Sequence, residues 1–166
     1  MGGDKHLKPF QIRLPDQHFF HQRLTESISR CAGQQHAVFL MDLDRFKYIN
    51  QSLGRAVGYQ LLQQVAERLS QKYKDEKNME LFHFGRDEFV LLASQIDGER
   101  EAAVIAKCLL SLFKKPFVVE GYELYMTTSI GIAFYPCHGN QVEDLVKGVD
   151  RALDQAKRLN GNHFQF

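Results

Sequence analysis

Two acidic pairs lie where their carboxylates could hold a cation. Asp42 and Asp44 follow a continuous apolar run, residues 37–41, and Asp87 and Glu88 lie in a tight turn between two further apolar runs. If the two strands are neighbours in one sheet, both pairs meet at one edge, where carboxylates repel each other unless they share a cation. Mg²⁺ prefers carboxylate oxygens and keeps coordination positions free for phosphate oxygens. The spacing therefore indicates a metal–phosphate site.

Each acidic pair also has a simpler interpretation. Aspartate is common at strand ends, and Asp and Glu are common in surface turns, so for either pair alone this interpretation is the better one. The two pairs together favour the metal–phosphate site, to which Lys47 and Lys157 could add positive charge for phosphate oxygens.

Hydrophobic periodicity predicts the elements that must position these residues. Apolar positions three or four residues apart predict helices, and continuous or alternating apolar runs predict strands. Helices are predicted from about residue 15, around the apolar positions 61–69, after Gly98 and around positions 145–156; strands are predicted over 37–41, 80–84, 88–93, 117–119, 122–134 and 163–166. This order of helices and antiparallel hairpins predicts an α/β sandwich with one mixed sheet.

Length and composition predict one ordinary soluble domain. The 166 residues are 44% hydrophobic and 25% charged, and 21 Lys and Arg against 20 Asp and Glu leave a net charge of +1. That balance argues against a nucleic-acid binder, and no apolar run approaches the roughly 18 residues that cross a bilayer. Three widely spaced cysteines fit a reducing, cytoplasmic compartment. We expect residues 1–14 to be a tail or linker and residues 15–166 to be the domain.

Four segments, read as motifs, resemble the GGDEF family of diguanylate cyclase domains. They are residues 42–50 (DLDRFKYIN) followed by Gly54 and Gly58, residues 85–89 (GRDEF), residues 128–133 (TSIGIA) and residues 150–157 (DRALDQAK). The first resembles the family's opening signature, and the second resembles the hairpin that names the family, with one glycine replaced. Because the motifs follow family order across residues 14–166, chance agreement is very improbable.

Membership of this family implies a fold and an activity. The fold would be a central mixed β-sheet flanked by helices, related to the palm of nucleotidyl cyclases and polymerases, with a ferredoxin-like βαββαβ core and an extra hairpin. The resemblance also implies a site for GTP with Mg²⁺ or Mn²⁺. In active members two domains meet face to face, as a homodimer, and condense two GTP molecules into cyclic di-GMP.

By position, the resemblance also implies roles for individual residues. Asp42, Asp87 and the Leu43 carbonyl would bind the metal, and Glu88 would assist the metal or the attacking hydroxyl. Asp87, Glu88 and Lys47 would form the catalytic group. Residues that would hold the nucleotide, with the lysines on phosphates and the asparagine on guanine, are Phe46, Lys47, Asn50, Gly85, Arg86 and Lys157.

The sequence departs from the family pattern around the nucleotide. Arg86 replaces the second glycine of the hairpin motif, where glycine lets the backbone approach the nucleotide closely. Tyr59 replaces an aspartate that pairs with guanine, Gly161 replaces an arginine near the phosphates, and His83 replaces an arginine before the hairpin. The metal end of the site is retained and the base end is altered, which weakens base discrimination.

Three functions fit these features. We favour a degenerate GGDEF domain that binds GTP and Mg²⁺ without making cyclic di-GMP and regulates a neighbouring domain. Residues 116–121 and 128–136 resemble composite proteins in which an EAL phosphodiesterase domain follows, and the length suits a domain excised from a longer chain. One alternative is an active cyclase that tolerates Arg86 but lacks product feedback, since Glu76 and Met79 replace the family's inhibition-site residues. The other is a structural or dimerising module without nucleotide.

Overall fold

The computed structural model describes residues 12–30 and 33–166. Its helices are α1 (Gln17–Arg30), α2 (Phe46–Leu53), α3 (Arg55–Tyr73), α4 (Glu99–Ser111) and α5 (Val142–Arg158). Its strands are β1 (Gln35–Leu43), β2 (Met79–Gly85), β3 (Glu88–Ile96), β4 (Phe117–Val119), β5 (Tyr122–Leu124), β6 (Thr128–Tyr135) and β7 (Phe164–Gln165). Of the predicted tail, residues 1–11 lie outside the described residues, and Ile12 is buried in the core.

Five strands form one mixed sheet in the order β2-β3-β1-β6-β7. β1 lies at the centre, antiparallel to β3 and to β6, as its almost continuously apolar and buried sequence requires. β6 and β7 pair in parallel, which makes the sheet mixed. The predicted α/β fold is confirmed: β1, β2, β3 and β6 with their connecting helices form the βαββαβ core, and β4 and β5 form the extra hairpin.

Alternate side chains of β1 enter two separate cores, one on each face of the sheet. Phe39 and Met41 pack with the apolar sides of α3 and α4. Val38 and Leu40 pack with α1 and α5 on the opposite face. Because both faces are covered, the position of β1 is fixed, and its last residues emerge at the sheet edge beside the turn between β2 and β3.

A close approach between β6 and α5 sets the position of the last helix. A Cβ atom at Gly131 would lie 2.4 Å from both the Leu153 backbone nitrogen and the Val149 carbonyl oxygen. Only glycine lets a helix backbone lie this near a strand. The contact brings the C-terminal half of α5, which carries Lys157, over the edge where β1 ends.

Two predictions of local structure were incomplete or wrong. The single strand predicted over 122–134 is two strands, because β5 pairs with β4 in a separate sheet whereas β6 joins the main sheet. The alternating pattern runs across the break because Met126, between the two strands, is also buried. The sequence pattern did not predict α2, which ends at Gly54, a residue with a φ of 93°.

Candidate functional site

Three residues of the two predicted acidic pairs, Asp42, Asp87 and Glu88, meet at the edge where β1 and β3 end. β1 and β3 are neighbours, and Asp42 lies directly opposite Glu88 in their pairing. The Leu43 backbone N–H donates a hydrogen bond to the Asp87 carbonyl oxygen at 3.2 Å, which holds the hairpin turn against β1. Lys157 of α5 forms an ion pair with Asp42 Oδ2. Four predicted site residues therefore form one group, the acidic cluster: Asp42, Asp87, Glu88 and Lys157.

The acidic cluster holds more negative charge than its own lysine neutralises. Burial, together with a hydrogen bond to Asp42 and the charge of Asp42, raises the pKa of Asp87 to about 7. Burial and the charges of Asp42 and Asp150 also raise the pKa of Glu88. Burial alone would lower the pKa of Lys157, but the hydrogen bond and charge of Asp42 and the charges of Asp87 and Glu88 raise it instead. A second cation would relieve this repulsion.

A divalent cation fits the donor set of the acidic cluster. Asp42 is only 6% exposed, and its Oδ1 has no hydrogen-bond partner among the described residues. The Asp42 side chain lies beside Asp87, which gives two carboxylates for a hard ion. Within residues 12–30 and 33–166, no group of three or more His, Cys, Asp or Glu side chains is placed to hold a metal. The two carboxylates of Asp42 and Asp87 suit Mg²⁺, which takes one or two carboxylates and completes its shell with water and phosphate oxygens.

Asp44 has a different role from the one its sequence position suggests. Its Oδ2 accepts hydrogen bonds from Thr127 Oγ1 at 2.6 Å and the Asn162 backbone N–H at 2.9 Å, and its Oδ1 accepts one from Ser129 Oγ at 2.6 Å. A Cβ atom at Gly161, where φ is 74°, would lie 2.7 Å from Asp44 Oδ2. Asp44 thus anchors the turn after α5, and the glycine at position 161 lets that turn close onto it.

A cavity of about 680 Å³ reaches the acidic cluster at Asp87. Five of the predicted site residues line it: Phe46, Lys47, Asn50, Arg86 and Asp87. Its other lining residues are Ile12, Gln51, Arg55, Tyr59, Leu62 and His83. Leu43, Gly85 and Lys157 are not among the described lining residues, although Gly85 belongs to the hairpin that forms one wall. The predicted nucleotide residues and the predicted metal residues therefore adjoin each other.

The corner between α2 and α3 forms the wall that carries Asn50. The Gly54 backbone N–H donates a hydrogen bond to the Asn50 carbonyl oxygen at 3.0 Å, which ends α2 and turns the chain into α3. One turn later, a Cβ atom at Gly58 would lie 1.9 Å from Asn50 Oδ1 and 3.3 Å from Phe46 Cζ. Gly54 and Gly58, the two glycines of the opening motif, therefore shape the place that the Asn50 carboxamide occupies.

The hairpin between β2 and β3 forms the opposite wall. Arg86 has a φ of 43°, in the left-handed region that favours glycine. His83 Nε2 donates a hydrogen bond to the Arg86 carbonyl oxygen at 2.9 Å, and the His83 ring packs on Phe89 with ring centroids 5.0 Å apart. His83 therefore braces the turn, while the exposed Arg86 side chain lines the cavity.

Sequence reasoning missed two polar residues of the cavity. Gln51 and Arg55 line it, although no role had been assigned to either. Helical spacing offered a signal, because residues four apart share a helix face and Arg55 lies four positions before Tyr59. The signal was weak without knowledge that Gly54 divides α2 from α3.

The sheet order and the acidic edge define a domain of the nucleotidyl-cyclase palm class, and comparison with known proteins gives its family. The family described as "Diguanylate cyclase, GGDEF domain" matches residues 12–163, so the chain belongs to the GGDEF family. The crystal structure of the GGDEF domain of TpbB (YfiN) from Pseudomonas aeruginosa superposes with a TM-score of 0.86 at 29% identity, covering 93% of this chain and 98% of that one.

Curated relatives are much longer than this chain. Cyclic di-GMP phosphodiesterase NbdA of Pseudomonas aeruginosa is 36% identical over 149 residues, which are 89% of this chain and 19% of that protein. Bifunctional diguanylate cyclase/cyclic di-GMP phosphodiesterase MucR of the same organism is 32% identical over 156 residues, 93% of this chain and 22% of that protein. The chain spans about a fifth of the length of these relatives. No helix in the described part of the chain is long and apolar enough to span a membrane.

Proposed function

We propose that residues 15–166 form a GGDEF domain of cyclic di-GMP signalling that binds GTP with Mg²⁺ or Mn²⁺, makes little or no cyclic di-GMP, and regulates an adjacent domain. The observation that carries this proposal is the position of Arg86. Its side chain lines the cavity from the tip of the hairpin, where the family motif has a glycine. A long cationic side chain there would obstruct the approach of the second nucleotide in a condensation.

The metal end of the site supports nucleotide binding. Asp42 and Asp87, with the Leu43 carbonyl, are the groups that would hold the metal, which when bound would neutralise phosphate charge. Lys157 pairs with Asp42 and would add positive charge for the phosphates. Lys47 lines the cavity from the first turn of α2 and would do the same. Glu88, opposite Asp42, is the group that would assist the metal or accept a proton from an attacking hydroxyl.

The residues at the end of the cavity that would hold the base support the proposal that guanine is distinguished less well from other bases. Asn50 lines the cavity and could contact guanine, but Tyr59 stands on the same wall where the family motif has an aspartate. The tyrosine hydroxyl offers one donor and acceptor in place of the two oxygens of a carboxylate. Gly85 and Phe46 shape the walls of the cavity. Gly85 allows the tight turn between β2 and β3, and Phe46 packs beside Asn50.

The proposed partner is an EAL phosphodiesterase domain further along the same polypeptide. Two curated relatives that match over about a fifth of their length are described as phosphodiesterases of cyclic di-GMP. A solved EAL/GGDEF domain protein from M. capsulatus superposes with a TM-score of 0.75 at 30% identity. A nucleotide-binding domain next to a hydrolase could adjust its activity, because binding energy that differs between two conformations shifts their populations.

An active diguanylate cyclase is the second candidate. The acidic cluster, with its three carboxyl groups and its lysine in place, favours it, because phosphoryl transfer depends mainly on charge neutralisation and positioning. This candidate requires a homodimer in which Arg86 moves away from the facing nucleotide.

An assay of cyclic di-GMP formation separates the two candidates. We expect purified protein with GTP and Mg²⁺ to yield no product above that of the Glu88→Gln variant. We expect Arg86→Gly to gain turnover if that side chain is the obstacle. Turnover by the natural sequence that Glu88→Gln abolishes would refute the regulatory proposal and establish the cyclase.

A further inference from the structure

The polar groups that could contact a nucleotide base differ between the two walls of the cavity. Among the described residues that line it, Asp87 is the only carboxylate, and it belongs to the acidic cluster with Asp42. The wall formed by the α2–α3 corner carries two carboxamides, one arginine and one phenol: Asn50, Gln51, Arg55 and Tyr59. This wall is rich in donors and lacks a carboxylate.

The two edges of guanine call for opposite partners. The N1–H and 2-amino groups are donors, which a carboxylate accepts with its two oxygens, whereas O6 and N7 are acceptors, which the guanidinium fork of arginine matches. The Asn50 carboxamide oxygen packs over Gly58, 1.9 Å from where a Cβ atom would stand, so its acceptor is directed onto α3. The wall is therefore suited to the acceptor edge of a purine.

Arg55 is the arginine placed to read that edge. It is the first residue of α3, exposed, and on the same wall as Asn50 and Tyr59. None of the ion pairs formed by the described residues involves it. Arg86, the other arginine of the cavity, comes from the hairpin next to Asp87 and so belongs to the metal end.

We propose that Arg55 determines base specificity by donating hydrogen bonds to O6 and N7 of a 6-oxopurine, and that the 2-amino group is not read. This inference rests on the proposed function, because it specifies the ligand of the same cavity. The ligand class is a 6-oxopurine nucleoside triphosphate, so that guanine and hypoxanthine are accepted alike. Adenine is disfavoured because its 6-amino donor faces the arginine donors.

Calorimetric titration with four nucleotides in the presence of Mg²⁺ tests this inference. We expect GTP and ITP to bind within about threefold of each other, and ATP and 7-deaza-GTP to bind more weakly by about tenfold to a hundredfold, the range for one bidentate base contact. We expect Arg55→Ala to bring all four affinities within about threefold. Arg55→Lys should reduce the differences less than Arg55→Ala, because lysine can still donate to O6 or N7 but lacks the planar fork. Arg100→Ala, an exposed arginine of α4, should leave the ranking unchanged.

Each contrary outcome has its own meaning. ITP binding more than tenfold weaker than GTP would show that the 2-amino group is read and would overturn the inference. Equal binding of GTP and 7-deaza-GTP would overturn it as well, because N7 would then be uncontacted. Retained discrimination in Arg55→Ala would overturn it too, because another group would then select the base, and an equal loss of affinity for all four nucleotides would place the arginine's charge on the phosphates. Absence of binding by all four nucleotides would overturn the proposed nucleotide site itself, and the inference with it.

Discussion

Replacing Asp87 with asparagine should stabilise the metal-free protein at neutral pH. Burial and the hydrogen bond and charge of Asp42 raise the pKa of Asp87 to about 7 from an ordinary value of 3.8. A carboxylate with such a raised pKa is ionised at neutral pH only at a cost to the folded state. Asparagine keeps the shape of the side chain and can still donate a hydrogen bond to Asp42, but it carries no charge.

The size of the effect follows from the pKa. A difference of one in pKa corresponds to 1.36 kcal/mol, so the shift sets a ceiling of about 4 kcal/mol. Asp87 is partly exposed, so solvent screening reduces this to about 1–2 kcal/mol. Between about pH 4 and pH 7 the folded state holds a proton that the unfolded state has lost. The free energy of unfolding therefore falls as pH rises through this range, and Asp87→Asn should flatten that fall.

Thermal unfolding followed by circular dichroism, in buffer with a chelator, measures this effect. At pH 7.5 we expect Asp87→Asn to raise Tm by about 2–8 °C, whereas Asp75→Asn, an exposed control in the turn after α3, should leave it unchanged. Added Mg²⁺ should raise the Tm of the natural sequence more than that of the variant, because a bound cation relieves the same repulsion. A lower Tm for Asp87→Asn without metal, or an unchanged pH profile, would refute the electrostatic reasoning.

Three glycine substitutions have contrasting expected outcomes. Gly131→Ala should lower the free energy of unfolding by at least about 2 kcal/mol in urea titrations, because its Cβ would lie 2.4 Å from the Leu153 backbone nitrogen. Gly148→Ala in α5 should raise it by about 0.5–1 kcal/mol, since its Cβ would lie 3.8 Å from the nearest atom of β6 and alanine favours helix. Gly58→Ala should change the free energy of unfolding by less than about 1 kcal/mol, because its Cβ would meet the flexible end of the Asn50 side chain. The same variant should weaken GTP binding about tenfold, because the Asn50 carboxamide would be displaced from its place in the cavity. Equal stability of the first two variants, or unchanged nucleotide affinity of the third, would contradict the packing described.

Local pattern was enough to predict the core of the fold. The apolar run of β1 and the hairpin at residues 85–87 determine a sheet in which Asp42 and Glu88 become neighbours. Their meeting depends on the pairing of β1 with β3, which stayed a condition of the prediction because a strand that is apolar on both faces does not fix its own register.

Features that depend on distant contacts were not predictable in the same way. Asp44 looked equivalent to Asp42, but Thr127, Ser129 and Asn162 hold its carboxylate, and no local pattern links residues so far apart in sequence. The division of residues 122–134 between two sheets is similar, since each half meets a different partner strand. In both cases contacts between residues that are distant in sequence determine the structure, and the local sequence pattern does not.

The proposed function requires that this domain holds a nucleotide together with a metal ion. Calorimetric titration of GTP into the purified protein, with Mg²⁺ and then with a chelator, tests it most directly. We expect saturable binding at one site per chain with Mg²⁺, and binding weakened at least tenfold by the chelator or by Asp42→Asn, because phosphate charge is then left without its counter-ion. Absence of binding with Mg²⁺, or binding of equal strength without it, would show that the domain has no metal-dependent nucleotide site.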